Sequence, residues 1–504
     1  MATCVEAPHE IRSLAPSART PVFVVAGLFG VVLLAVAGRY GYFGDELYFL
    51  AAGRHLAWGY ADQPPLVPVL ARILESLAPG NVFVLRLPAM AAMVVAVVVS
   101  ALIARELGGG RRAQVMAAAT FAVSTQFVAS GHYLATSTFD PFFWTLLGWL
   151  LVRWVRTRAD GLLVWAGVVT GLALNTKFLV GAFWGVAVLA VLACGPRELL
   201  RRPALWLGGL IALAMVAPTL GWQATHGWPQ LAMSAAISQE VAAMPGGRAM
   251  IVPVMLFLTG LPVAALLLGY GGWRLLRSPA LREYSFLGWT TAGLTVLFVV
   301  IAGRQYYVAG LYGVCWAAAA VEFERGQPAR WWRWAASWPV YVLTALVMLP
   351  TALPVWPQSW LRDHPGLPKA VFSAEEIGWP EVTGSIAKTF HALPDPAHTA
   401  IVTRMYWQAA AIDHYGPAFG LPEPASPNRG YHSLVTPPDS AANVLYAGPG
   451  PQPLQGHFAD VKRVGTVDSG LGIPNTSQGL PLWLATGRAE SWATLWPKLR
   501  DFHV

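Results

Sequence analysis

Charged residues and cysteines are both scarce in this sequence. Only 12% of the 504 residues are charged and 55% are hydrophobic, whereas a soluble domain carries charge at about one quarter of its positions. That balance excludes an ordinary soluble protein and favours a polytopic α-helical membrane protein, because several apolar runs reach the roughly 20 residues that cross a bilayer. The three cysteines, Cys4, Cys194 and Cys315, show no paired spacing, so neither a disulfide framework nor a zinc motif is predicted.

The apolar runs predict about eleven transmembrane helices. Their approximate limits are Val22 to Gly38, Val84 to Ala104, Ala113 to Ser130, Pro141 to Trp154, Leu162 to Thr176, Phe178 to Cys194, Leu205 to Trp222, Met250 to Gly271, Phe286 to Ala302, Tyr306 to Val321, and Ala335 to Leu353. Because acidic residues follow the first run at once, we interpret that run as an uncleaved anchor and not as a signal peptide.

Clusters of arginine occur in every second loop between these runs. They comprise Arg105, Arg111 and Arg112; Arg153, Arg156 and Arg158; Arg197, Arg201 and Arg202; Arg274, Arg277 and Arg282; and Arg325, Arg330 and Arg333. Because positive residues collect in cytoplasmic loops, this alternation accounts for the net charge of +8 without nucleic acid as a partner. It predicts a multi-pass protein of the plasma (inner) membrane with a cytoplasmic N-terminus.

The opposite loops carry nearly every unusual polar residue, and the odd number of spans places the C-terminal part on the same outer side. The apolar runs stop after Leu353, and short β-prone segments follow, among them Asn443 to Ala447. We therefore predict a transmembrane domain over residues 1–353, with a first outer loop at about 39–83. Residues 354–504 are predicted to form an extracytoplasmic α/β domain.

An acidic pair, Asp45 and Glu46, directly follows the first span. Carboxylates are costly to hold at a membrane surface, so two adjacent ones need a reason. One interpretation is a general base that takes a proton from an acceptor hydroxyl. The alternative is a pair that binds the amides of the loop as a helix cap.

Two further acidic positions precede prolines on the same side. Asp62 and Gln63 stand before Pro64 and Pro65, and Asp140 precedes Pro141. Either aspartate fits a plain helix N-cap, because proline is favoured in a first helical turn. In the functional interpretation Asp62 or Gln63 contacts a substrate phosphate or a metal ion, and Asp140 joins Asp45 at a catalytic site.

Basic and aromatic residues of the outer loops suit phosphate recognition. Lys177 interrupts a long apolar stretch, and Arg304 is followed closely by Tyr306 and Tyr307. Lysine and arginine side chains bind phosphate oxygens, arginine with a bidentate fork. The alternatives are that Lys177 extends to the membrane interface and that Arg304 anchors to lipid headgroups.

Histidines of the outer loops add little by themselves. His132 and His226 lie on the predicted outer side, and an isolated histidine has either a structural role or a ligand role. We include His132 among the candidate substrate-binding residues. No close spacing of histidine and carboxylate indicates a metal site.

In their order along the chain these motifs resemble the membrane glycosyltransferases of the GT-C class. Within that class the sequence looks like the dolichyl-phosphate-mannose protein mannosyltransferases and the bacterial aminoarabinose transferases (family 39/83-like). The resemblance rests on the Asp45-Glu46 pair with Tyr48, on residues 62–66, on Asp140, on the Thr176-Lys177-Phe178 turn, and on residues 304–307. It covers most of the chain from Tyr40 to the tenth span.

The resemblance implies an inverting transfer of a sugar from a polyprenyl-phosphate donor to a hydroxyl of a glycan, lipid or protein acceptor at the outer membrane face. It gives Asp45 the role of the base and Lys177 and Arg304 the phosphate contacts. Relatives commonly carry His or Lys where Gln63 stands, so a charged contact is missing there. Some relatives bind a divalent metal ion, for which Asp62 and His226 are the candidate ligands.

The rival interpretation is a transporter or flippase of a lipid-linked or small polar substrate. It predicts polar residues near the bilayer midplane in paired broken helices. The polar residues of this chain collect at one face instead, and no internal repeat is visible. An integral scaffold with an exported binding domain is a second rival, and it leaves Asp45 and Glu46 without a role.

Overall fold

The computed structural model describes residues 14–326 and 330–504. Cys4 and the side chain of Arg330 lie outside that description. The first ten α-helices are α1 (Arg19–Val36), α2 (Gly44–Arg54), α3 (Leu66–Leu77), α4 (Val82–Glu106), α5 (Arg111–Ala122), α6 (Thr125–His132), α7 (Thr136–Thr157), α8 (Gly161–Leu174), α9 (Leu179–Cys194) and α10 (Pro203–Thr225). The next six are α11 (Pro229–Ala243), α12 (Ile251–Thr259), α13 (Val263–Arg277), α14 (Ser285–Val300), α15 (Tyr312–Gly326) and α16 (Trp338–Ala352).

The C-terminal part mixes helices and strands, as predicted. It contains α17 (Gln358–Asp363), α18 (Trp379–His391), β1 (Thr399–Thr403), α19 (Tyr406–Tyr415), β2 (Asn443–Ala447), β3 (Phe458–Thr466), β4 (Pro481–Arg488) and α20 (Trp492–Leu499). The strands form one sheet in the order β1-β2-β4-β3. The β1–β2 pair is parallel, and the other two pairs are antiparallel.

The number of membrane spans differs from the prediction. In the described ranges, four helical segments are long and apolar enough to cross a membrane, and a fifth is obtained if one pair bent by 85° counts as a single span. Other predicted spans are shorter apolar helices, among them α8, α9 and α16. The structure therefore confirms a helical membrane-type fold with a small C-terminal sheet, and the count of eleven stays a prediction.

The start of α7 also differs from the prediction. The Asp140-Pro141 pattern predicts a helix start, but α7 begins at Thr136, so Asp140 is not an N-cap. A proline inside a helix leaves the carbonyl four residues earlier without its usual donor. That carbonyl belongs to Ser137, and it accepts a hydrogen bond of 3.3 Å from the Ser130 hydroxyl. A side chain from α6 thus allows the helix to continue through Pro141.

The arginine-bearing helix ends lie together on one side of the molecule, which we call the arginine-rich face. Ion pairs join these ends: Arg156 with Glu106 (2.5 Å), Arg158 with Glu198 (2.6 Å), and Arg274 with Glu322 (2.7 Å from Nε). The loops with Asp45, Asp62, Lys177 and Arg304 lie at the other ends of the same helices. The predicted separation of arginine clusters from the other polar residues therefore holds in three dimensions.

The C-terminal part packs directly on the first outer loop. The helices α2 and α19 are in close contact, and the Arg54 guanidinium at the end of α2 pairs with Asp413 of α19. At the other end of this contact the rings of Phe43 and Trp407 lie 5.1 Å apart. One hydrophobic core continues from α1 through α2 into α19 and the sheet. This packing places residues from both parts of the chain around Asp45.

Candidate active site

Asp45 lies at the beginning of α2 and is held by the C-terminal part of the chain. Its Oδ1 accepts hydrogen bonds from the Tyr406 hydroxyl (2.6 Å) and from Trp407 Nε1 (2.7 Å). Within the described residues, Oδ2 accepts none. Burial and the nearby Asp45 charge raise the pKa of the Tyr406 phenol, so this hydroxyl stays protonated and donates. Asp45 is half-buried, so one oxygen is fixed and the other is left for chemistry.

Glu46 differs from Asp45 because hydrogen bonds occupy both oxygens of its carboxylate. Its Oε2 accepts the backbone N–H of Phe43 (2.9 Å) in a capping arrangement, and its Oε1 accepts that of Leu134 (3.1 Å). Both oxygens also bind the Arg86 guanidinium, at 2.9 and 2.7 Å. Because every acceptor is occupied and the side chain is fully buried, the predicted catalytic role does not fit Glu46. The capping alternative describes it.

His132 belongs to the same buried cluster and not to an open site. Its Nε2 lies 2.9 Å from a Glu376 carboxylate oxygen and 3.1 Å from Arg86 Nη1. Glu376 also accepts the Tyr133 hydroxyl at 3.0 Å. These contacts tie the first outer loop to the C-terminal part. His132 Nδ1 is buried with no hydrogen-bond partner among the described residues, so a substrate contact of His132 stays a prediction. Arg86 was detectable in the sequence, because an arginine within an apolar run needs a partner.

Asp62 is the second carboxylate of the site. Its Oδ1 accepts the Tyr48 hydroxyl (2.7 Å), and its Oδ2 accepts the backbone N–H of Gly430 (3.2 Å). Burial raises the pKa of Asp62, against the opposing effects of these two hydrogen bonds and of the Arg429 charge. The N-cap alternative for Asp62 is wrong, because α3 begins only at Leu66 and has no side-chain cap. The aspartate instead joins the first outer loop to the C-terminal part.

Gln63 is buried next to Asp62. Its carbonyl oxygen of the main chain accepts the N–H of Tyr60 at 2.9 Å. Its side-chain Nε2 is buried and has no hydrogen-bond partner among the described residues. A buried amide without a partner costs free energy, so Gln63 stays a candidate for contact with a substrate.

Glu240 of α11 forms ion pairs with two arginines on the same side of the molecule as Asp45. It pairs with Arg304 and with Arg429 (3.0 Å), and it accepts the backbone N–H of Val504 at 3.0 Å. A cavity of about 510 Å³ opens beside this group and is lined by Arg304 and Glu240. The predicted phosphate contact, Arg304, thus shares a single carboxylate with Arg429. Glu240 and Arg429 are far apart in the chain, so no local pattern predicts their ion pair.

A second cluster combines the remaining predicted residues. Lys177 Nζ lies 5.1 Å from the centre of the Tyr306 ring and 5.2 Å from that of Tyr307. Asp140 is close enough for its charge to act on Lys177. Asp140 is 5% exposed, and its Oδ1 has no hydrogen-bond partner in the described ranges. The structure therefore brings together Asp140 of α7, Lys177 from the turn between α8 and α9, and the two tyrosines that precede α15. Lys177 contacts the aromatic rings of these tyrosines.

The two clusters lie next to each other. The charges of Arg304, Lys177 and Asp140 all act on the Tyr307 phenol, and those of Asp45 and Asp62 act on Arg429. Since Arg304 and Arg429 share Glu240, the site is one continuous group of charges. At one end of this group Asp45 has a free carboxylate oxygen, and at the other end Lys177 carries a positive charge. Such an arrangement suits a reaction in which a carboxylate takes up a proton and an anion leaves.

The two residues suggested as metal ligands, Asp62 and His226, have different surroundings. His226 is exposed and stacks on Trp222 with the ring centres 4.1 Å apart. Over residues 14–326 and 330–504, no group of three or more histidine, cysteine, aspartate or glutamate side chains has the geometry to hold a metal ion. The assignment of Asp62 and His226 as ligands of a divalent metal ion stays a prediction.

Comparisons with known proteins bear on this geometry. Residues 62–222 match the family model described as dolichyl-phosphate-mannose-protein mannosyltransferase. ArnT from Cupriavidus metallidurans in the apo state superposes with a TM-score of 0.59 at 16% identity, covering 92% of this chain and 97% of that one. The same protein bound to undecaprenyl phosphate gives 0.59 at 15% identity with the same coverage. No curated protein matches the sequence.

A third solved structure is less similar. The oligosaccharyltransferase of Archaeoglobus fulgidus in complex with Zn and sulfate has a TM-score of 0.49 at 15% identity, covering 84% of this chain and 68% of that one. The family match and the ArnT fold confirm the resemblance to GT-C membrane glycosyltransferases that the motifs indicate. At 15–16% identity, the two ArnT structures show a shared fold.

Proposed function

We propose that this protein transfers a sugar from a polyprenyl-phosphate donor to an acceptor hydroxyl at the outer membrane face, with inversion at the anomeric carbon. Asp45 is the base in this proposal. The observation that carries it is the asymmetric environment of that carboxylate, with Oδ1 held by Tyr406 and Trp407 and Oδ2 free of donors. A general base needs such a fixed orientation together with an accessible oxygen.

The reaction balances with the residues present. The acceptor hydroxyl gives its proton to Asp45 Oδ2 as its oxygen forms a bond to the anomeric carbon. The bond from that carbon to the donor phosphate breaks on the opposite side, and its electron pair leaves with the phosphate. Because a phosphate is a good leaving group, the site needs a cation near it more than a strong acid.

Lys177 is the cation that best fits the leaving phosphate. Arg304 and Arg429 both pair with Glu240, whereas Lys177 has no carboxylate within ion-pair distance among the described residues and lies over Tyr306 and Tyr307. Lys177 therefore keeps more of its charge available for a ligand. In this proposal Gln63 and Arg304 complete the donor pocket, and Asp140 orients Lys177.

The donor class is supported by the fold and not by a contact seen in this chain. The ArnT structure that contains undecaprenyl phosphate shares the fold over 92% of this chain. A site at the membrane face lets a prenyl chain remain in the bilayer while its phosphate reaches Lys177. The acceptor class stays open among glycan, lipid and protein.

The substitution Asp45→Asn tests the proposal. Asparagine keeps an oxygen for Tyr406 and Trp407 but cannot take up a proton, so turnover should fall about 10²–10⁴-fold. Mass spectrometry of lipid-linked sugars and glycans compares a deletion strain with strains that carry either the wild-type protein or the variant. The variant should accumulate the same polyprenyl-phosphate sugar as the deletion strain.

Asp460→Asn is the matched control, because Asp460 is an exposed carboxylate on β3. It should restore normal levels of the lipid-linked sugar. An unchanged profile of lipid-linked sugars in the deletion strain would contradict the transferase proposal. Full complementation by Asp45→Asn would remove Asp45 as the base and direct attention to Asp140.

A further inference from the structure

A large apolar groove is formed by three helices, and one end of it lies on the arginine-rich face. It runs between α1, α5 and α16 and has a volume of about 850 Å³. Its walls are mostly apolar, with aliphatic side chains such as Leu28, Val115 and Leu349 and the aromatic rings of Phe29 and Trp338. Leu28 is 64% exposed, which shows that the groove opens sideways from the helix bundle. In a bilayer an opening of this kind faces lipid chains.

One end of the groove is strongly basic. Arg111 and Arg112 line it at the first turn of α5, and both side chains are exposed. Neither has an ion-pair partner within the part of the chain that the structure describes. The nearby acid, Glu324, is occupied by backbone N–H groups at the start of α5, with 2.6 Å to Gly110 and 3.1 Å to Arg112. Two guanidinium groups without an ion-pair partner in the described ranges therefore lie where the apolar walls end.

We propose that this groove binds one anionic phospholipid, with its phosphate at Arg111 and Arg112 and an acyl chain along α1, α5 and α16. The combination of a basic end with an apolar channel is complementary to such a lipid and not to a neutral one. Arginine forks bind phosphate oxygens in bidentate geometry, and basic pockets between membrane helices recognise anionic headgroups. The positive-inside rule assigns this end to the cytoplasmic leaflet.

The lipid site is separate from the proposed donor site. Arg111 belongs to the arginine-rich face, whereas Asp45 and Lys177 lie at the opposite ends of the helices. A polyprenyl phosphate bound near Lys177 therefore cannot place its phosphate at Arg111. The α1–α5–α16 groove binds a structural lipid that supports the packing of α16, a helix with few neighbours in the bundle.

Native mass spectrometry of the purified full-length protein tests the site. The protein is titrated with phosphatidylglycerol and with phosphatidylcholine of the same acyl chains. We expect phosphatidylglycerol to be retained about 10–30-fold more tightly, since each arginine near an anionic headgroup contributes of the order of a few-fold to tenfold in affinity. The double variant Arg111→Gln, Arg112→Gln should retain both lipids equally.

The matched control is the double variant Arg277→Gln, Arg282→Gln. It removes the same charge from two exposed arginines of the arginine-rich face that do not line the groove, and it should keep the preference for phosphatidylglycerol. Ala345→Trp fills the groove and should lower retention of phosphatidylglycerol while leaving Arg111 and Arg112 in place. Equal retention of both lipids by the wild-type protein overturns the proposal, as does an equal loss in the control variant. A dimer that Ala345→Trp dissociates also overturns it, because a second copy would then occupy the groove.

Discussion

At the scale of single residues, Asp45 and Glu46 are neighbours in the chain with opposite environments. The Glu46 carboxylate is fully buried against Arg86, whereas the Asp45 carboxylate is half-buried and has one free oxygen. Adjacent helical residues point in directions about 100° apart, so one of them can enter the core while the other faces a cleft. An acidic pair in a sequence therefore need not be a functional pair.

The first prediction follows from the buried ion pair. Glu46→Gln removes the carboxylate nearest to the buried Arg86 guanidinium and leaves it only Glu376 at 3.3 Å, and breaking a buried pair from one side costs up to about 3–5 kcal/mol. We expect a loss of that size in the free energy of unfolding, measured by denaturant titration in mixed micelles. Asp45→Asn serves as the comparison and should change stability by less than about 0.5 kcal/mol. Equal stability of the two variants would contradict the structural role of Glu46.

Lys177 and Arg304 also have different environments, because Arg304 pairs with Glu240 and Lys177 lies over two tyrosine rings. Replacing Lys177 by methionine removes a charge-assisted contact of roughly 1.5–3 kcal/mol, which corresponds to about a 10–150-fold loss in donor use. Steady-state kinetics with the lipid-linked donor identified by the deletion strain measures the effect. Lys388→Met, at an exposed lysine of α18, is the control and should be neutral. Wild-type kinetics for Lys177→Met would show that Lys177 only packs on Tyr306 and Tyr307.

The sequence predicts some of the site residues and cannot predict their partners. Asp45, Lys177 and Tyr307 are visible because polar groups stand out beside apolar runs. Trp407 and Glu376 are not visible, since they lie in a mixed, polar part of the chain where such residues are ordinary. The hydrogen bond from Trp407 to Asp45 joins residues 362 positions apart. No local pattern contains a contact of that kind.

At the scale of elements, the contact between α2 and α19 determines how Asp45 is held. The backbone of Gly44 lies directly against the Trp407 indole, and a Cβ at Gly44 would come within 2.3 Å of the ring. Only glycine allows α2 to approach α19 this closely. The absence of a side chain at Gly44 thus lets Trp407 Nε1 reach the carboxylate of the next residue.

Gly44→Ala tests this contact between elements. The added methyl group must displace the Trp407 ring, so we expect turnover to fall at least tenfold through loss of the Asp45 orientation, with little change in the apparent affinity for the donor. Gly27→Ala is the control, because a Cβ at Gly27 meets no atom within 4 Å. Trp407→Phe should reproduce the effect of Gly44→Ala, since it removes the same hydrogen bond without moving the helices. Normal turnover in both variants would show that α19 does not orient Asp45.

The helix order is predictable from hydropathy, and the helix ends are less so. Apolar runs and arginine clusters predict which helix ends lie on the same side of the molecule. The ion pairs that join the helix ends of the arginine-rich face agree with that prediction. The predicted start of α7 is too late, because the Asp140-Pro141 pattern is typical of a helix start although the helix begins at Thr136. The hydrogen bond from Ser130 that lets α7 begin earlier depends on α6, a neighbouring element. The residues around Asp140 alone therefore do not predict where α7 begins.

At the scale of the whole molecule, two opposite faces carry different chemistry. The arginine-rich face is held by ion pairs between helix ends, and the other face holds Asp45, Lys177 and the packed C-terminal part. That part supplies Tyr406 and Trp407 to the site. It must therefore lie on the same side of the membrane as Asp45, and the sequence predicts that this side is the outer one.

Cysteine labelling of intact cells tests that arrangement. Ser76→Cys and Lys462→Cys introduce thiols at exposed positions of the first outer loop and of β3, and a membrane-impermeant maleimide should label both from outside. The native Cys194 is exposed at the arginine-rich end of α9, so it provides an internal control that reacts only after the membrane is permeabilised. Cys4→Ser and Cys315→Ser remove the other thiols.

Protection of both introduced cysteines, or labelling of Cys194 in intact cells, would reverse the proposed orientation. Labelling of one introduced cysteine alone would contradict the contact between α2 and α19, because two surfaces that share Asp45 cannot lie on opposite sides of a bilayer.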